Sequence, residues 1–139
     1  MKQPNSAKKL TNIRPEVTNN QGLFTKLSIT YLHTEAECFS NWQKLELKKF
    51  SAFINKVNKK KINELSGGGL QLDHSGDAMD KKVREYMRKN FSQQISPDII
   101  DGIIVKHLRI DQGIRVHGYF ENNTFHIIRL DRNHGVNKS

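Results

Sequence analysis

The residues best suited to chemistry are histidines and arginines near the end of the chain. His107, Arg109, Arg115, His117 and His126 lie in short runs rich in β-forming residues. Histidine exchanges protons near neutral pH, and arginine binds phosphate and stabilises negative charge. Cleavage of RNA by internal transesterification needs such groups: a base for the 2′-hydroxyl, an acid for the leaving 5′-oxygen, and cations for the charged intermediate. The same residue types also form solvated polar sheet faces, so both interpretations stay open at this point.

The first of two turn sequences is predicted to place these side chains next to each other. Asp111-Gln112-Gly113 suits a three-residue hairpin loop with the glycine in the left-handed conformation. Such a loop pairs Arg109 with Arg115 and His107 with His117. Two arginines on adjacent strands repel, and a fold tolerates them best when acids or a phosphate lie between them.

The second turn sequence extends the same sheet. Asn122-Asn123 tolerates the positive φ angles of a type I′ turn and pairs Phe120 with Phe125. Continued without interruption, this register pairs Arg115 with Leu130 and sorts the side chains onto two faces. The apolar face holds Leu108, Ile110, Ile114, Val116, Phe120, Phe125 and Ile127. The polar face holds His107, Arg109, Arg115, His117, Tyr119 and His126 around Ile128 and Leu130.

Two amphipathic stretches are predicted to cover the apolar face. From Thr34 onward apolar residues recur at helical spacing, and this stretch ends before the glycines at 67–69. Its stripe consists of Phe39, Trp42, Leu45, Phe50, Phe53, Ile54 and Val57. A second helix begins at Asp77 or Asp80 and runs to about Gln94, where Ser-Pro stops it. Its stripe consists of Met79, Val83, Met87 and Phe91.

The order of these elements predicts an α+β fold. Alternation over Leu23–His33 predicts a first strand. We expect an antiparallel sheet, made of this N-terminal strand and a C-terminal three-stranded meander, with the helices packed on one face. Residues 1–22 have little apolar periodicity and are predicted to form a flexible arm. Residues 23–139 are predicted to form one domain with a helical insertion at about 66–98.

The charge of the chain favours a polyanionic partner. Twenty-three lysines and arginines against 14 acids leave a net charge of +9. Such a surface attracts nucleic acid, and it would attract an acidic protein for the same electrostatic reason. The single cysteine cannot form an internal disulfide, no stretch is apolar enough to span a membrane, and no metal-ligand spacing occurs. We therefore expect a cytoplasmic protein with no metal or other cofactor and no membrane contact.

The C-terminal run resembles a known family. Residues His107 to His134 read HLRIDQGIRVHGYFENNTFHIIRLDRNH. This resembles the C-terminal meander of the RelE/YoeB superfamily of bacterial toxins, with a basic strand, an arginine-hydrophobic strand, a turn, an isoleucine-containing strand and a closing Arg/His segment. Family members cleave mRNA, free or on the ribosome, and are neutralised by an antitoxin. The resemblance implies that Arg115 occupies the phosphate-stabilising position and His134 the general-acid position of the YoeB-like branch.

Together these observations predict an mRNA-cleaving endoribonuclease toxin of a toxin-antitoxin-like system, with an acidic antitoxin as its protein partner. The alternative is a non-catalytic basic module from a phage or plasmid that binds nucleic acid or an acidic protein. An enzyme requires its catalytic groups to converge, whereas a binding module requires only a broad basic surface. The expected catalytic residues are Arg109, Arg115, His117, Arg132 and His134. The expected RNA-contacting residues are Lys81, Lys82, Arg88, Lys89, Lys106 and Arg129.

Overall fold

The fold combines one sheet with two long helices, in a computed structural model that describes residues 22–33, 39–67, 69–70 and 72–132. The strands are β1 (Lys26–Ser28), β2 (Asp73–His74), β3 (Lys106–Arg109), β4 (Arg115–Glu121) and β5 (Thr124–Asp131). The helices are α1 (Lys44–Asn58), α2 (Asp77–Phe91) and the short α3 (Pro97–Asp101), with 3₁₀ turns at Phe39–Asn41 and Ile62–Glu64. The predicted α+β class is confirmed. The predicted N-terminal arm, apart from Gly22, lies outside the described residues.

The sheet is mixed, not antiparallel throughout as predicted. Its five strands are arranged in the order β1-β5-β4-β3-β2. Strand β1 runs parallel to β5, with Lys26 opposite Thr124 and Ser28 opposite His126. Antiparallel pairing is imposed only where a short turn joins two strands. Here most of the chain separates β1 from β5, so no hairpin dictates the direction of β1.

The two long helices pack on opposite faces of the sheet, which corrects the prediction that they share one face. Helix α1 contributes Phe50, Phe53 and Val57 to a core with the predicted apolar face of the meander. Helix α2 packs in a second core that includes Tyr119 and Ile128 from the other face. Neighbouring residues of a strand point to opposite faces. The adjacent isoleucines of β5 therefore need cover on both sides, and each is 0 % exposed.

Helix α1 is shorter than the predicted first helical stretch. It begins at Lys44, where the backbone N–H of Gln43 donates to the Glu46 carboxylate at 2.7 Å. The predicted start at Thr34 lies outside the described residues. Trp42 is buried as expected, but Leu45 is 63 % exposed and does not join the core. The lysines at 44, 48, 49, 56 and 59 are exposed, which is the solvated face of an amphipathic helix.

Helix α2 matches its prediction closely. It covers Asp77–Phe91 and buries Met79, Val83 and Met87 on one face. Its N-cap is Gly76, whose φ of 101° is favourable only for glycine. The predicted insertion at 66–98 is not purely helical, because it also supplies strand β2.

The β-rich composition of Ile99–Ile110 predicts a strand along this whole run, and the structure corrects its extent. Ser96 caps a new short helix, accepting from the backbone N–H of Ile99, and Pro97 occupies its first turn. Proline is favourable at this position because its missing N–H would have no helical partner. The run that begins at Ile99 is therefore helical at first, and only Lys106–Arg109 form strand β3.

The two predicted turns both form, with different backbone detail. Asn122 has a φ of 56°, but Asn123 lacks the positive φ that the second central position of the predicted type I′ turn requires. Gly113 is not left-handed, contrary to prediction, since the positive-φ glycines among the described residues are Gly69 and Gly76. The Asp111 carboxylate instead accepts from the backbone N–H groups of Gly113 and Ile114, both at 2.8 Å, and closes the loop by a side-chain bridge.

Candidate active site on the polar face of the sheet

Two histidines and two arginines face each other across strands β3 and β4. The register pairs His107 with His117 and Arg109 with Arg115, as predicted from the three-residue loop. The imidazole centroids of His107 and His117 are 5.6 Å apart. Paired residues of antiparallel strands carry their side chains on the same face of the sheet. These four residues, called here the histidine–arginine cluster, therefore assemble on one side of the meander.

A β-bulge adds a carboxylate to this face. The β4–β5 register shifts by one residue between His117 and Gly118, which places Asp131 opposite Arg115. The prediction that Leu130 lies opposite Arg115 on the polar face is therefore wrong, and Leu130 is buried in the core with α1. Asp131 is 4 % exposed, and its Oδ2 lies 3.5 Å from His117 Nε2. The carboxylate missing from the predicted cluster is thus supplied by the shift.

The bulge depends on a glycine. Gly118 lies opposite Ile127, and a Cβ atom added at this glycine would overlap the backbone carbonyl of His126. The close approach of the two strands therefore excludes any side chain here. Ile128 is the additional residue of β5, because Ile127 pairs with Gly118 while Arg129 already pairs with His117.

Strand β2 brings a second carboxylate and a serine to the cluster. Asp73 pairs with His107, and its Oδ2 lies 3.9 Å from His107 Nε2. Ser75 follows β2 directly, and its backbone N–H donates to the carbonyl of Val105 at 2.9 Å. The Ser75 hydroxyl oxygen lies 2.8 Å from His117 Nδ1. A strand of two residues has no periodicity, so neither side chain could be assigned to the site from the sequence pattern.

The contact between Arg115 and His107 defines which nitrogen of His107 is unprotonated. An Arg115 terminal nitrogen lies 2.9 Å from His107 Nε2. Guanidinium nitrogens only donate, so Nε2 of His107 must accept and cannot carry a proton in this arrangement. His107 is therefore neutral here, with its proton on Nδ1.

Both arginines of the cluster carry a donor with no acceptor. The Nε atoms of Arg109 and Arg115 are buried, and among the described residues neither has a hydrogen-bond partner. Arg115 as a whole is 9 % exposed. A buried donor without an acceptor costs about 1–3 kcal/mol, so native folds rarely keep one without a reason. Two such donors on adjacent guanidinium groups are suited to an oxyanion such as phosphate.

His117 is held between two oxygen atoms. One is the Asp131 carboxylate beside Nε2, and the other is the Ser75 hydroxyl beside Nδ1. A carboxylate only accepts, so Nε2 carries the proton and Nδ1 accepts from the serine hydroxyl. His117 is 5 % exposed. The arrangement has the connectivity of a hydroxyl group, a base and an orienting acid.

A separate buried carboxylate anchors helix α2 beside the site. Asp80 accepts from the backbone N–H of Val105 at 3.2 Å and from His74 Nε2 at 3.0 Å. Arg84 lies 3.7 Å from the same carboxylate and donates to the carbonyl of Ile103. These contacts tie α2 to the segment leading into β3. They hold Ser75, between His74 and α2, at a defined position.

The expected RNA-contacting residues are distributed over α2, β3 and β5. Lys81, Lys82 and Lys89 are exposed on α2, the helix that covers this side of the sheet. Arg88 is also exposed on α2, but it donates to Asp101 at 2.6 Å. Arg129 of β5 is partly exposed and pairs with His117 on the face of the cluster. Lys106 of β3 is partly exposed, and as the neighbour of His107 in the strand it lies on the opposite face.

Two expected catalytic residues are not brought into the cluster by the described structure. Arg132 turns towards α1, where it donates to the carbonyl of Asn41 and lies 3.8 Å from the Glu46 carboxylate. His134 lies outside the described residues. The structure therefore brings together Arg109, Arg115 and His117 of the predicted set, and adds His107, Asp131, Asp73 and Ser75.

The remaining predicted members of the polar face form a distinct aromatic group. Tyr119 pairs with His126, and their rings are 5.1 Å apart. Burial, together with the nearby Tyr31 and Glu121, raises the pKa of the Tyr119 hydroxyl far above its ordinary value. His126 Nε2 lies 2.9 Å from the Glu121 carboxylate. This group packs in the core with α2 rather than in the histidine–arginine cluster.

Within the described ranges, no group of three or more histidine, cysteine or acidic side chains is arranged to hold a metal ion. Across the same residues, no helix is long and apolar enough to cross a membrane. No protein-family model, curated protein or solved structure matches this chain.

Proposed function

We propose that this protein is an endoribonuclease that cleaves mRNA by metal-independent transesterification. The observation that carries the proposal is the histidine–arginine cluster, in which two imidazoles and two partly unpartnered guanidinium groups share one face of β3 and β4. This reaction needs a proton acceptor, a proton donor and cations around one phosphate. The cluster contains each of these groups within one pair of strands.

The roles follow from the contacts of each side chain. Arg109 and Arg115, which are cross-strand neighbours, bind the scissile phosphate through their guanidinium groups and stabilise the charge that develops on it. A bound phosphate is a better acceptor for Arg115 than an imidazole nitrogen. Binding of RNA therefore releases His107 Nε2 for protonation, and His107 can donate to the leaving 5′-oxygen. His117, oriented by Asp131, is the proton acceptor.

The proposal includes a biological role as a toxin. The resemblance of residues 107–134 to the RelE/YoeB superfamily supports a RelE-like architecture and an acidic antitoxin as partner. The net charge of +9 supports both an RNA substrate and an acidic protein partner. Both free mRNA and mRNA bound to the ribosome are candidate substrates.

Cleavage of end-labelled RNA in the presence of EDTA tests the proposal. We expect fragments that end in a 2′,3′-cyclic phosphate, and no cleavage when the RNA carries 2′-O-methyl groups. A parallel reaction contains translating ribosomes, so that ribosome-dependent cleavage is also detected. If neither reaction yields cleavage, the protein is a binding module and not a nuclease.

Point variants test the assignment of the cluster. We expect Arg115→Ala and His117→Ala each to lower the cleavage rate by about 10²- to 10⁴-fold. Lys48→Ala is the matched control, because Lys48 is an exposed cation on α1 at the opposite face of the sheet. Cleavage that survives in both cluster variants would place the active site elsewhere.

The salt dependence of RNA affinity tests whether the lysines of α2 contact the RNA. In a plot of the logarithm of RNA affinity against the logarithm of salt concentration, each phosphate contact on a single strand should add about −0.7 to the slope. A triple variant with glutamate at Lys81, Lys82 and Lys89 should reduce this slope and leave the fold intact. Arg88 is left unchanged in this variant because its ion pair with Asp101 joins α2 to α3. A slope unchanged by the triple variant would exclude α2 from the RNA path.

A further inference from the structure

The position of His117 limits how a substrate can exchange a proton with it. The side chain is only 5 % exposed. Among the described residues, each of its ring nitrogens already faces an oxygen atom, Asp131 Oδ2 at 3.5 Å and Ser75 Oγ at 2.8 Å. Asp131 is itself buried, whereas Ser75 is partly exposed. An RNA oxygen that approaches His117 therefore meets the Ser75 hydroxyl first.

Ser75 is held in this position by the backbone on both sides. Its own N–H donates to the carbonyl of Val105, and the preceding residue, His74, is bonded to the buried Asp80. The following residue, Gly76, turns the chain into α2 with a φ of 101°. A hydroxyl fixed in this way keeps its hydrogen bond to His117 without a large loss of rotamer freedom when substrate binds.

We propose that the Ser75 hydroxyl is a catalytic proton relay, which carries the proton of the RNA 2′-hydroxyl to His117. This inference rests on the proposed function, and it adds a residue that contacts the substrate. The direction of transfer follows from the contacts of His117. Asp131 keeps the proton of the imidazole on Nε2, so Nδ1 is the basic nitrogen and it faces Ser75.

The step conserves atoms and protons. The 2′-hydroxyl proton moves to Ser75 Oγ while the Ser75 proton moves to His117 Nδ1. The 2′-oxygen forms its bond to phosphorus as the bond between phosphorus and the 5′-oxygen breaks, and the 5′-oxygen takes a proton from His107. Solvent then returns a proton to His107 and accepts one from His117 through Ser75, which regenerates the enzyme.

Ser75→Ala tests the relay, with Ser75→Cys as the conservative variant. We expect Ser75→Ala to lower the RNA cleavage rate by about 10²-fold. Ser75→Cys retains a group that can pass a proton and should recover part of the loss. Ser51→Ala is the matched control, since Ser51 is exposed on α1. Thermal melting of each variant establishes that the fold is intact.

Two further readouts separate the relay from other roles of Ser75. With a substrate whose leaving group needs no proton, the wild-type rate measured across mixtures of H₂O and D₂O should curve as expected for the two relay protons, and the Ser75→Ala rate should vary linearly. A uridine 3′-phosphodiester with a 4-nitrophenyl leaving group needs no acid. If Ser75 helps to remove the 2′-hydroxyl proton, Ser75→Ala should therefore also cleave this substrate more slowly than the wild type. A Ser75→Ala variant that cleaves this substrate as fast as the wild type would overturn the relay.

The outcomes distinguish the two proposals. Cleavage by the wild type combined with an unaffected Ser75→Ala variant overturns the relay and leaves the nuclease intact. A covalent adduct that joins Ser75 Oγ to an RNA 3′-phosphate, detected by mass spectrometry, also overturns it, since the serine would then be a nucleophile. Absence of cleavage by the wild type, with and without ribosomes, overturns the nuclease and the relay together.

Discussion

The two hairpins of the meander share strand β4 but differ in register. In β3–β4 the pairing runs without interruption, from His107 opposite His117 to Arg109 opposite Arg115. In β4–β5 the pairing begins as expected at the Asn-Asn turn and then shifts by one residue at Gly118. The shared strand β4 thus has a regular partner on one side and a bulged partner on the other.

This difference shows how one extra residue can change the chemistry of a sheet face. Side chains alternate between faces, so a one-residue shift moves every later residue of the strand to the opposite face. In β5 the shift moves Leu130 into the core and Asp131 to the arginines and histidines. The regular hairpin supplies the cations, and the bulged hairpin supplies the carboxylate that orients His117.

The largest effect is expected from filling the space at the bulge. Gly118→Ala puts a methyl group against the backbone carbonyl of His126, and backbone cannot move aside as a flexible side chain can. We expect a loss of about 3 kcal/mol or more in the free energy of unfolding, measured by urea denaturation.

The regular hairpin provides the control for this substitution. A Cβ atom at Gly113 meets its nearest neighbouring atom, the carbonyl oxygen of Arg132, at 3.9 Å, and its φ is not positive. We therefore expect Gly113→Ala to cost less than about 1 kcal/mol. Similar small losses at both glycines would show that the bulge is not constrained by Gly118.

The next largest effect concerns the carboxylate that the bulge delivers. Asp131→Asn keeps the shape of the side chain but removes the negative charge that holds the proton on His117 Nε2. We expect the rate of RNA cleavage to fall by about 10²-fold, which corresponds to about 2.7 kcal/mol in the activation free energy.

Asp111→Asn, in the loop of the regular hairpin, is the matched control for cleavage. This aspartate contacts Lys49 and its own loop, and it does not contact the cluster. Its replacement should leave the rate unchanged. An Asp131→Asn variant that is folded and as active as the wild type would show that the carboxylate delivered by the bulge is not needed for cleavage.

The smallest effect is a pH dependence located in the regular hairpin. Burial alone would raise the pKa of Asp111, but the Lys49 ammonium and the N–H groups of Gly113 and Ile114 lower it below its ordinary value. A lowered folded-state pKa gives stability that is present above the unfolded value, near 4, and is lost as the pH falls through the folded value.

The comparison of wild type with Asp111→Asn measures this contribution. We expect the wild type to be more stable by at most about 1 kcal/mol at pH 6, because the ion pair with Lys49 is partly exposed. The difference should vanish towards pH 2, as followed by thermal melting. A difference that stays constant over this range would contradict the assigned hydrogen bonds of Asp111.

Several elements could be predicted because local physics decides them. The stripe of Met79, Val83 and Met87 has helical spacing and lies on the buried face of α2. The pairing next to the Asn122-Asn123 turn and the β3–β4 register depend on neighbouring residues only, and both form as expected. The predicted cross-strand neighbours Phe120 and Phe125 have ring centroids 5.0 Å apart.

Other elements depend on contacts between distant parts of the chain. The direction of β1 is decided by its place beside β5, and the two-residue strand β2 exists because Asp73 and His74 meet β3. Alternation over Leu23–His33 predicts a strand but not its direction, and a strand of two residues has no period. The adjacent isoleucines at 127 and 128 are the one sequence feature that indicates cover on both faces of the sheet, and therefore a helix on the side where α2 lies.

The amino-acid sequence alone is enough to predict the α+β class, the apolar face of the meander, and the pairing of His107 with His117 and of Arg109 with Arg115. These features depend on alternation and turn chemistry, which act between near neighbours. Only the tertiary structure decided that Asp131 joins them and that Ser75 reaches His117. The first needs the close approach of two strands at Gly118, and the second needs β2 to add to the edge of β3. Such contacts join residues far apart in the chain, so no local pattern encodes them.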